Sequence, residues 1–147
     1  MKLSTKGRYG ARAALELAIR YGSGLVMVHQ IARSQDIPVR YLEHILNALR
    51  AAGIVTSTRG AKGGYELAKP PSDISLGEVV QALEGPMNIV SCTGGSSVCS
   101  KISECVMNGV WTEVKNAIVG VLDSITLEEL VKRYHEIHKK NAYDYII

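Results

Sequence analysis

Three cysteines lie close together in one stretch of the chain, at Cys92, Cys99 and Cys105, with mostly small or polar residues between them. An odd number of cysteines cannot pair completely into disulfides within one chain. Grouped thiols are preferred ligands of soft metal centres, so the pattern favours an iron–sulfur centre. A zinc ribbon would show two close Cys-x-x-Cys pairs, which this segment lacks. A thiol redox sensor without metal is the alternative.

The remaining sequence does not favour an enzyme. A nucleophilic thiol needs a general base beside it, and all four histidines lie outside the cysteine segment. The glycine-rich stretch 60–64 contains a lysine but lacks the spacing of a phosphate-binding loop. We therefore expect the cysteines to serve sensing rather than catalysis.

The charge of the chain is divided unevenly. Residues 1–69 hold eleven of the seventeen Lys and Arg residues but four of the fourteen Asp and Glu, a formal charge of +7 against −4 for the remainder. A basic half indicates a polyanionic partner such as nucleic acid, although an uneven solvated surface would give the same count. Because the sequence shows neither a signal peptide nor an apolar run of membrane length, a cytoplasmic protein is predicted.

Three helices are predicted in the basic half. Ser4 or Thr5 can cap the first helix. Its apolar stripe is predicted to comprise Ala11, Ala14, Leu15, Ala18 and Ile19. A short second helix over 28–35 is followed by the turn Asp36-Ile37-Pro38, with Pro38 at the first position of the third helix.

The third helix, predicted over Pro38–Ala52, has two different faces. The apolar face comprises Leu42, Ile45, Leu46 and Leu49. The polar face comprises Arg40, Glu43, Asn47 and Arg50. Two short helices joined by a tight turn, the second with hydrogen-bonding groups outward, are typical of a helix-turn-helix. An ordinary helical hairpin would show the same pattern, so the next segment decides between the two.

Residues 54–68 predict a β-hairpin. Two β-rich runs flank a glycine-rich loop that carries Arg59 and Lys62. Directly after a helix-turn-helix, such a hairpin is typical of a wing that touches phosphates or enters the minor groove. The order of a helix-turn-helix and a hairpin, the two cations in the hairpin loop and the positive charge of residues 1–69 together predict DNA binding.

The second half of the chain is predicted to be helical around the cysteine loop. Ser75 and Glu78 form a capping box for a helix over Leu76–Glu84, and a longer helix is expected over Val106–Ser124. The apolar stripe of the longer helix is broader than one small domain would cover. It therefore predicts a homodimer, with packing against its own domain as the alternative.

The predicted fold class is mainly α with a small β-hairpin wing, and it divides into three segments. Residues 1–70 form a winged helix-turn-helix DNA-binding domain. Residues 71–105 form a connecting helix and the cysteine loop, and residues 106–147 form a long dimerisation helix and a C-terminal arm.

Several of these segments, in the same order, resemble the IscR-type family of winged helix-turn-helix regulators. The resemblance rests on KLSTKGRYG, YLEHILNALRAAGIV, RGAKGGY and ITLEEL, and on a cysteine loop that precedes a Trp-containing helix. It covers nearly the whole chain. It implies a homodimeric transcription regulator whose DNA binding responds to an iron–sulfur cluster, with genes of cluster assembly or cysteine metabolism as targets.

Matching the motifs residue by residue implies which side chains approach DNA. In the helices these are Lys6, Arg8, Pro38, Val39, Arg40, Tyr41, Glu43 and His44. In the wing they are Arg59, Gly60 and Lys62.

Glu43 is the unusual member of that set. A carboxylate near phosphates is costly unless it accepts a hydrogen bond from cytosine or repels wrong sequences, so we expect it to contribute to specificity. An intrahelical pair of Glu43 with Asn47 or Arg50 is the alternative.

The resemblance also implies a 2Fe–2S cluster held by Cys92, Cys99 and Cys105. The family's fourth ligand is a histidine three residues after the last cysteine, where this chain has Asn108. An Asn108 oxygen, a solvent molecule or a small thiol is the expected fourth ligand. Family members with a 4Fe–4S cluster take an acidic ligand near the amino terminus of the partner subunit, where this chain has Arg8.

The C-terminal residues Tyr145, Ile146 and Ile147 suggest a protein partner. They resemble the peptides, ending in Ile, with which serine acetyltransferase and a cysteine-metabolism regulator of this family engage cysteine synthase. Backbone capture of the terminal carboxylate would be the physical basis. An arm packed on the dimer is the alternative. The second functional prediction is therefore a repressor without a cluster, controlled by thiol oxidation or by cysteine synthase.

Overall fold

The computed structural model describes residues 2–94 and 99–146 and shows a mainly helical chain with one β-hairpin. The elements are α1 (Thr5–Ile19), α2 (Val28–Gln35), α3 (Val39–Ala51), β1 (Val55–Thr58), β2 (Gly64–Leu67), α4 (Leu76–Glu84), α5 (Val106–Ser124) and α6 (Leu127–Ile146). The predicted fold class is confirmed. Among the described residues, no helix is both long and apolar enough to cross a membrane.

Helix α1 lies at the centre of the fold and packs against α3, α4 and α6. Helices α1 and α4 lie close together at Gly10, where a Cβ would lie 1.9 Å from Leu83 Cδ1 and would require the Leu83 side chain to shift. The residues of α1 that are buried are Gly7, Gly10, Ala13, Ala14, Glu16, Leu17 and Ala18.

The predicted apolar stripe of α1 is therefore partly wrong. Ala14 and Ala18 are buried, whereas Ala11, Leu15 and Ile19 are only half-buried. The buried face is turned toward Ala13 and Leu17, because α4 approaches α1 along its two glycines. Glycines carry no hydrophobic signal, so apolar spacing alone placed the face incorrectly.

Helix α3 buries the predicted apolar face. Leu42, Ile45, Leu46 and Leu49 are all 0% exposed, and each such burial contributes about 1.5–3 kcal/mol. Pro38 is the N-cap, one position earlier than predicted, because its ψ of 132° is extended rather than helical. Gly53, with φ of 76°, takes the left-handed conformation just after the helix.

The wing is an antiparallel hairpin in which Val55 pairs with Leu67 and Thr58 with Gly64. Its second strand has a further neighbour that the sequence did not predict. The Val26 N–H donates to the Tyr65 carbonyl at 2.9 Å, and the Tyr65 N–H donates to the Val26 carbonyl at 2.8 Å. A Cβ at Gly64 would lie 2.6 Å from the Val26 carbonyl oxygen, so glycine permits this close pairing.

The later helices join the same core. The Ser75–Glu78 capping box is confirmed, with the Glu78 N–H 3.0 Å from the Ser75 hydroxyl. The Leu127 N–H donates to the Ile74 carbonyl at 2.9 Å, and both side chains are 0% exposed. Helix α6 also packs against α1 of the winged helix, and the three-segment division stays a prediction.

Glu16 of α1 is a buried charged residue, 5% exposed. Its carboxylate accepts hydrogen bonds from Arg20 Nε at 2.8 Å, Ser34 Oγ at 2.9 Å and Gln35 Nε2 at 3.0 Å. These bonds connect α1 to the end of α2, directly before the turn of the helix-turn-helix.

We predict that Glu16→Ala lowers the free energy of unfolding by about 1–3 kcal/mol, because the donors lose a buried acceptor. Urea unfolding at one protein concentration measures the change. The matched control is Glu43→Ala, an exposed carboxylate, for which we expect about 0.5 kcal/mol or less. Equal losses in the two variants would contradict a structural role for the Glu16 hydrogen bonds.

Candidate nucleic-acid interface and cysteine loop

The polar face of α3 lies opposite its buried face and is open to solvent. Pro38, Arg40, Glu43 and His44 are exposed, and Val39 is half-buried. These residues occupy the amino-terminal half of α3, which is the part of a recognition helix that contacts base edges. The fold thus presents this predicted set on one accessible surface.

Tyr41 is half-buried and is positioned by α1. Its ring meets the Tyr9 ring edge-on, with 5.8 Å between centroids, and the Arg12 guanidinium lies 5.4 Å from the Tyr9 centroid. Arg12 also donates to the backbone carbonyl of Gln35 and, at 3.2 Å, to its side-chain oxygen. Sequence reasoning missed Arg12, although its i+3 spacing from Tyr9 places the two on one helix face.

Lys6 and Arg8 lie in the first turns of α1, ahead of Tyr9. Lys6 is half-buried and Arg8 is exposed, with Arg8 Nη2 donating to Thr5 Oγ1 at 3.2 Å. The N-cap Ser4 accepts from the Gly7 N–H at 3.0 Å, so its hydroxyl satisfies one of the free N–H groups in the first turn of α1.

The wing tip exposes Arg59, Gly60 and Lys62. Gly60 has φ of 112°, and its carbonyl accepts from the Gly63 N–H at 2.9 Å, which closes the turn. The turn requires a positive φ at this position, and glycine adopts such a backbone conformation without strain.

Arg50 connects α3 to the wing. Its Nη1 donates to Ser57 Oγ of β1 at 3.0 Å, and among the described residues neither Arg50 nor Glu43 takes part in a salt bridge. Arg50 therefore bonds to the wing rather than to Glu43. The sequence predicts Arg50 on the polar face of α3 but does not identify it as a site residue. Ser57 comes within hydrogen-bond distance of Arg50 only when the hairpin folds back on α3.

The cysteines occupy the loop before α5. Cys92 is half-buried in a 3-10 turn over Ser91–Gly94, and Cys99 and Cys105 are exposed. Cys105 is the N-cap of α5. Asn108 Nδ2 donates to the Cys92 carbonyl at 3.5 Å, so the side chain at the expected fourth-ligand position faces this turn.

The donor set fits an iron–sulfur cluster chemically, since three thiols supply soft ligands. Within residues 2–94 and 99–146, however, no three His, Cys, Asp or Glu side chains lie close enough to hold a metal ion. A cluster would therefore require the loop to bring the three cysteines together.

The candidate partner-binding residues are only partly covered by the structure. The α6 helix runs to Ile146. Ile147 and the side chains of Tyr145 and Ile146 lie outside the described part of the chain, so their predicted role stays a prediction.

Comparison with known proteins gives consistent matches over most of the chain. Residues 3–133 match the family described as Rrf2, iron-dependent transcriptional regulator. The protein rrf2 of Nitratidesulfovibrio vulgaris is 39% identical, over 90% of this chain and 88% of its own.

Two solved structures share both fold and sequence with the chain. CymR, the global cysteine regulator of B. subtilis, has a TM-score of 0.76 and 37% identity, covering 90% of this chain and 98% of its own. IscR of T. potens has a TM-score of 0.76 and 40% identity, covering 93% of this chain and 90% of its own.

We predict that Glu43→Ala reduces the preference for the best DNA sequence over its single-base variants by about tenfold. The variant loses either an acceptor for the cytosine amino group or a charge that repels other bases. Fluorescence anisotropy on a duplex selected from a random library, and on its variants, measures this. Glu66→Ala, which removes an exposed carboxylate on β2, is the control. Equal discrimination by Glu43→Ala and the parent would refute the role.

We expect Arg59→Ala and Lys62→Ala to weaken binding to every duplex. Each phosphate that is no longer neutralised should reduce the steepness of log K against log salt by about 0.9. Binding titrations between low and moderate salt measure the slope. A residue whose replacement leaves the slope unchanged does not contact phosphate.

Proposed function

Because the chain belongs to the Rrf2 family of transcriptional regulators, we propose that it is a dimeric repressor whose affinity for its operator is set by the state of the cysteine loop. The resemblance to IscR-type regulators is confirmed by these relatives. The family and its members are DNA-binding transcription regulators rather than enzymes, as the sequence predicts.

The observation that carries the proposal is the juxtaposition of the exposed face of α3 with the wing. Arg40, Glu43 and His44 present donors and acceptors at the amino-terminal half of α3, as major-groove reading requires. The wing lies beside the carboxy-terminal part of the same helix, where Arg50 donates to Ser57, and its tip exposes the cations Arg59 and Lys62. Together they supply both base-reading and phosphate-binding groups.

Dimerisation is supported by α5, in which no residue is buried. Val106 is 82% exposed and Val121 is 60% exposed. Met107 and Val110 of the same helix are exposed as well, and such a run of exposed apolar side chains fits a second copy. Two copies would present two recognition helices to a paired half-site.

The proposed sensor is a 2Fe–2S cluster held by Cys92, Cys99 and Cys105. When bound, the cluster would supply a redox-active and labile centre. Asn108 of α5 faces the Cys92 turn and is the proposed fourth-ligand position, with a solvent molecule or a small thiol as the alternative ligands. Lys115 anchors the same turn to α5 by donating to the Thr93 carbonyl at 2.9 Å.

A short structural route leads from the loop to the DNA-binding surface. Helix α4 ends at Glu84, just before the segment that leads to the cysteines. Glu84 accepts from the Ser4 N–H at 2.8 Å and from the Ser4 hydroxyl, and Ser4 caps α1. We propose that a change in the loop shifts α4 against the start of α1, where Lys6 and Arg8 lie.

We predict that anaerobic reconstitution gives a coloured protein with near-stoichiometric iron and sulfide, and that Cys92→Ala abolishes the colour. Asn108→Ala should change the visible spectrum and shorten the cluster lifetime, with Asn116→Ala, exposed on the same helix, as control. An unchanged spectrum and lifetime would remove Asn108 from the site. A colourless parent protein would refute the cluster.

The second candidate is control without a cluster, by thiol oxidation or by cysteine synthase bound to Tyr145, Ile146 and Ile147. Its support is the likeness to CymR, whose solved structure is described as that of the global cysteine regulator of B. subtilis. The exposure of Cys99 and Cys105 is compatible with thiol chemistry. A colourless protein that still binds DNA would favour this candidate.

A further inference from the structure

Between α3 and the wing lies a polar cleft whose α3 wall lies outside the predicted recognition-helix residues. Its volume is about 340 Å³, and its walls include Asn47 and Arg50 of α3, Ser57 and Thr58 of β1, and Arg59. None of its lining residues is acidic.

We propose that this cleft binds one backbone phosphate of DNA and that Arg50 is its principal ligand. The inference rests on the proposed DNA-binding function and names a contact within it. Arg50 has five N–H donors in a planar fork, and only one nitrogen is engaged by Ser57, at 3.0 Å. The remaining donors are available to a tetrahedral anion, which arginine binds in bidentate fashion.

The hydrogen bond to Ser57 gives Arg50 a defined orientation before DNA arrives. A flexible guanidinium loses rotamer freedom when it binds, and prior ordering by a neighbouring hydroxyl reduces that loss. Arg59 lines the same cleft, and among the described residues neither arginine is neutralised by a salt bridge. The cleft therefore combines two cations with neutral hydrogen-bond donors.

The position of the cleft favours phosphate over a base edge. Arg50 lies in the last turn of α3 (Val39–Ala51), whereas base contacts come from the amino-terminal residues of a recognition helix. Strand β1 forms the other wall, so the cleft lies where the helix leaves the groove and the wing begins. A backbone phosphate contact contributes affinity but carries no direct sequence information.

The test compares Arg50→Ala, Arg50→Lys and Ser57→Ala with the parent chain. Two duplexes of about 30 bp serve as probes, one selected from a random library and one unrelated. We expect Arg50→Ala to weaken binding to both by about tenfold. It should also reduce the salt slope by about 0.9, the amount expected when one phosphate is no longer neutralised. Arg50→Lys and Ser57→Ala should keep the slope, because the positive charge remains.

Lys139→Ala, which removes an exposed cation on α6, controls for net charge and should leave the slope unchanged. Circular dichroism and thermal unfolding establish that each variant folds. An Arg50→Ala slope equal to the parent's, or a loss confined to the selected duplex, would overturn the phosphate site while leaving DNA binding intact. A parent chain that binds neither duplex would overturn the proposed function as well.

Discussion

The apolar face of α3 is buried against the rest of the winged helix, and that burial determines which residues of α3 face solvent. Leu42, Ile45, Leu46 and Leu49 are fully buried. Rotating α3 by one residue would move charged side chains into the core, where an unpaired charge costs several kcal/mol. Burial on one face thus decides which residues of the opposite face can meet a base.

Helix α1 determines where α3 lies relative to the other elements. Gly10 permits α4 to approach closely, Glu16 holds the end of α2 through two side-chain hydrogen bonds, and Tyr9 contacts Tyr41. Helix α1 is therefore both part of the core and the support of the reading surface. Glu84 at the end of α4 also bonds to Ser4, the N-cap of α1, so α4 contacts the end of α1 that carries Lys6 and Arg8.

The cysteine loop and α5 differ physically from this rigid part. The winged helix contains a core of fully buried apolar side chains, whereas α5 buries none fully and two of the three cysteines are exposed. Segments with few buried contacts rearrange at low cost in free energy. The low burial of the loop is compatible with rearrangement around a ligand or on oxidation.

Signals within short stretches of the sequence were sufficient to predict part of the fold and part of the candidate site. The bounds of α2, α4 and α5, the Ser75–Glu78 capping box and the wing hairpin follow from signals contained within a few residues. The face of α3 that carries Glu43 followed from its helical period. Such features depend on neighbours along the chain, so the amino-acid sequence by itself determined them.

Tertiary structure alone decided the features whose partners are distant in sequence. The pairing of Val26 with Tyr65 and the burial of Leu127 beside Ile74 are two of these. The Arg50–Ser57 bond that shapes the proposed phosphate cleft is another, and it needs the hairpin to fold back on α3. Helical and strand periods report which side of an element is buried but not what lies against it, because that depends on how the whole chain fills its core.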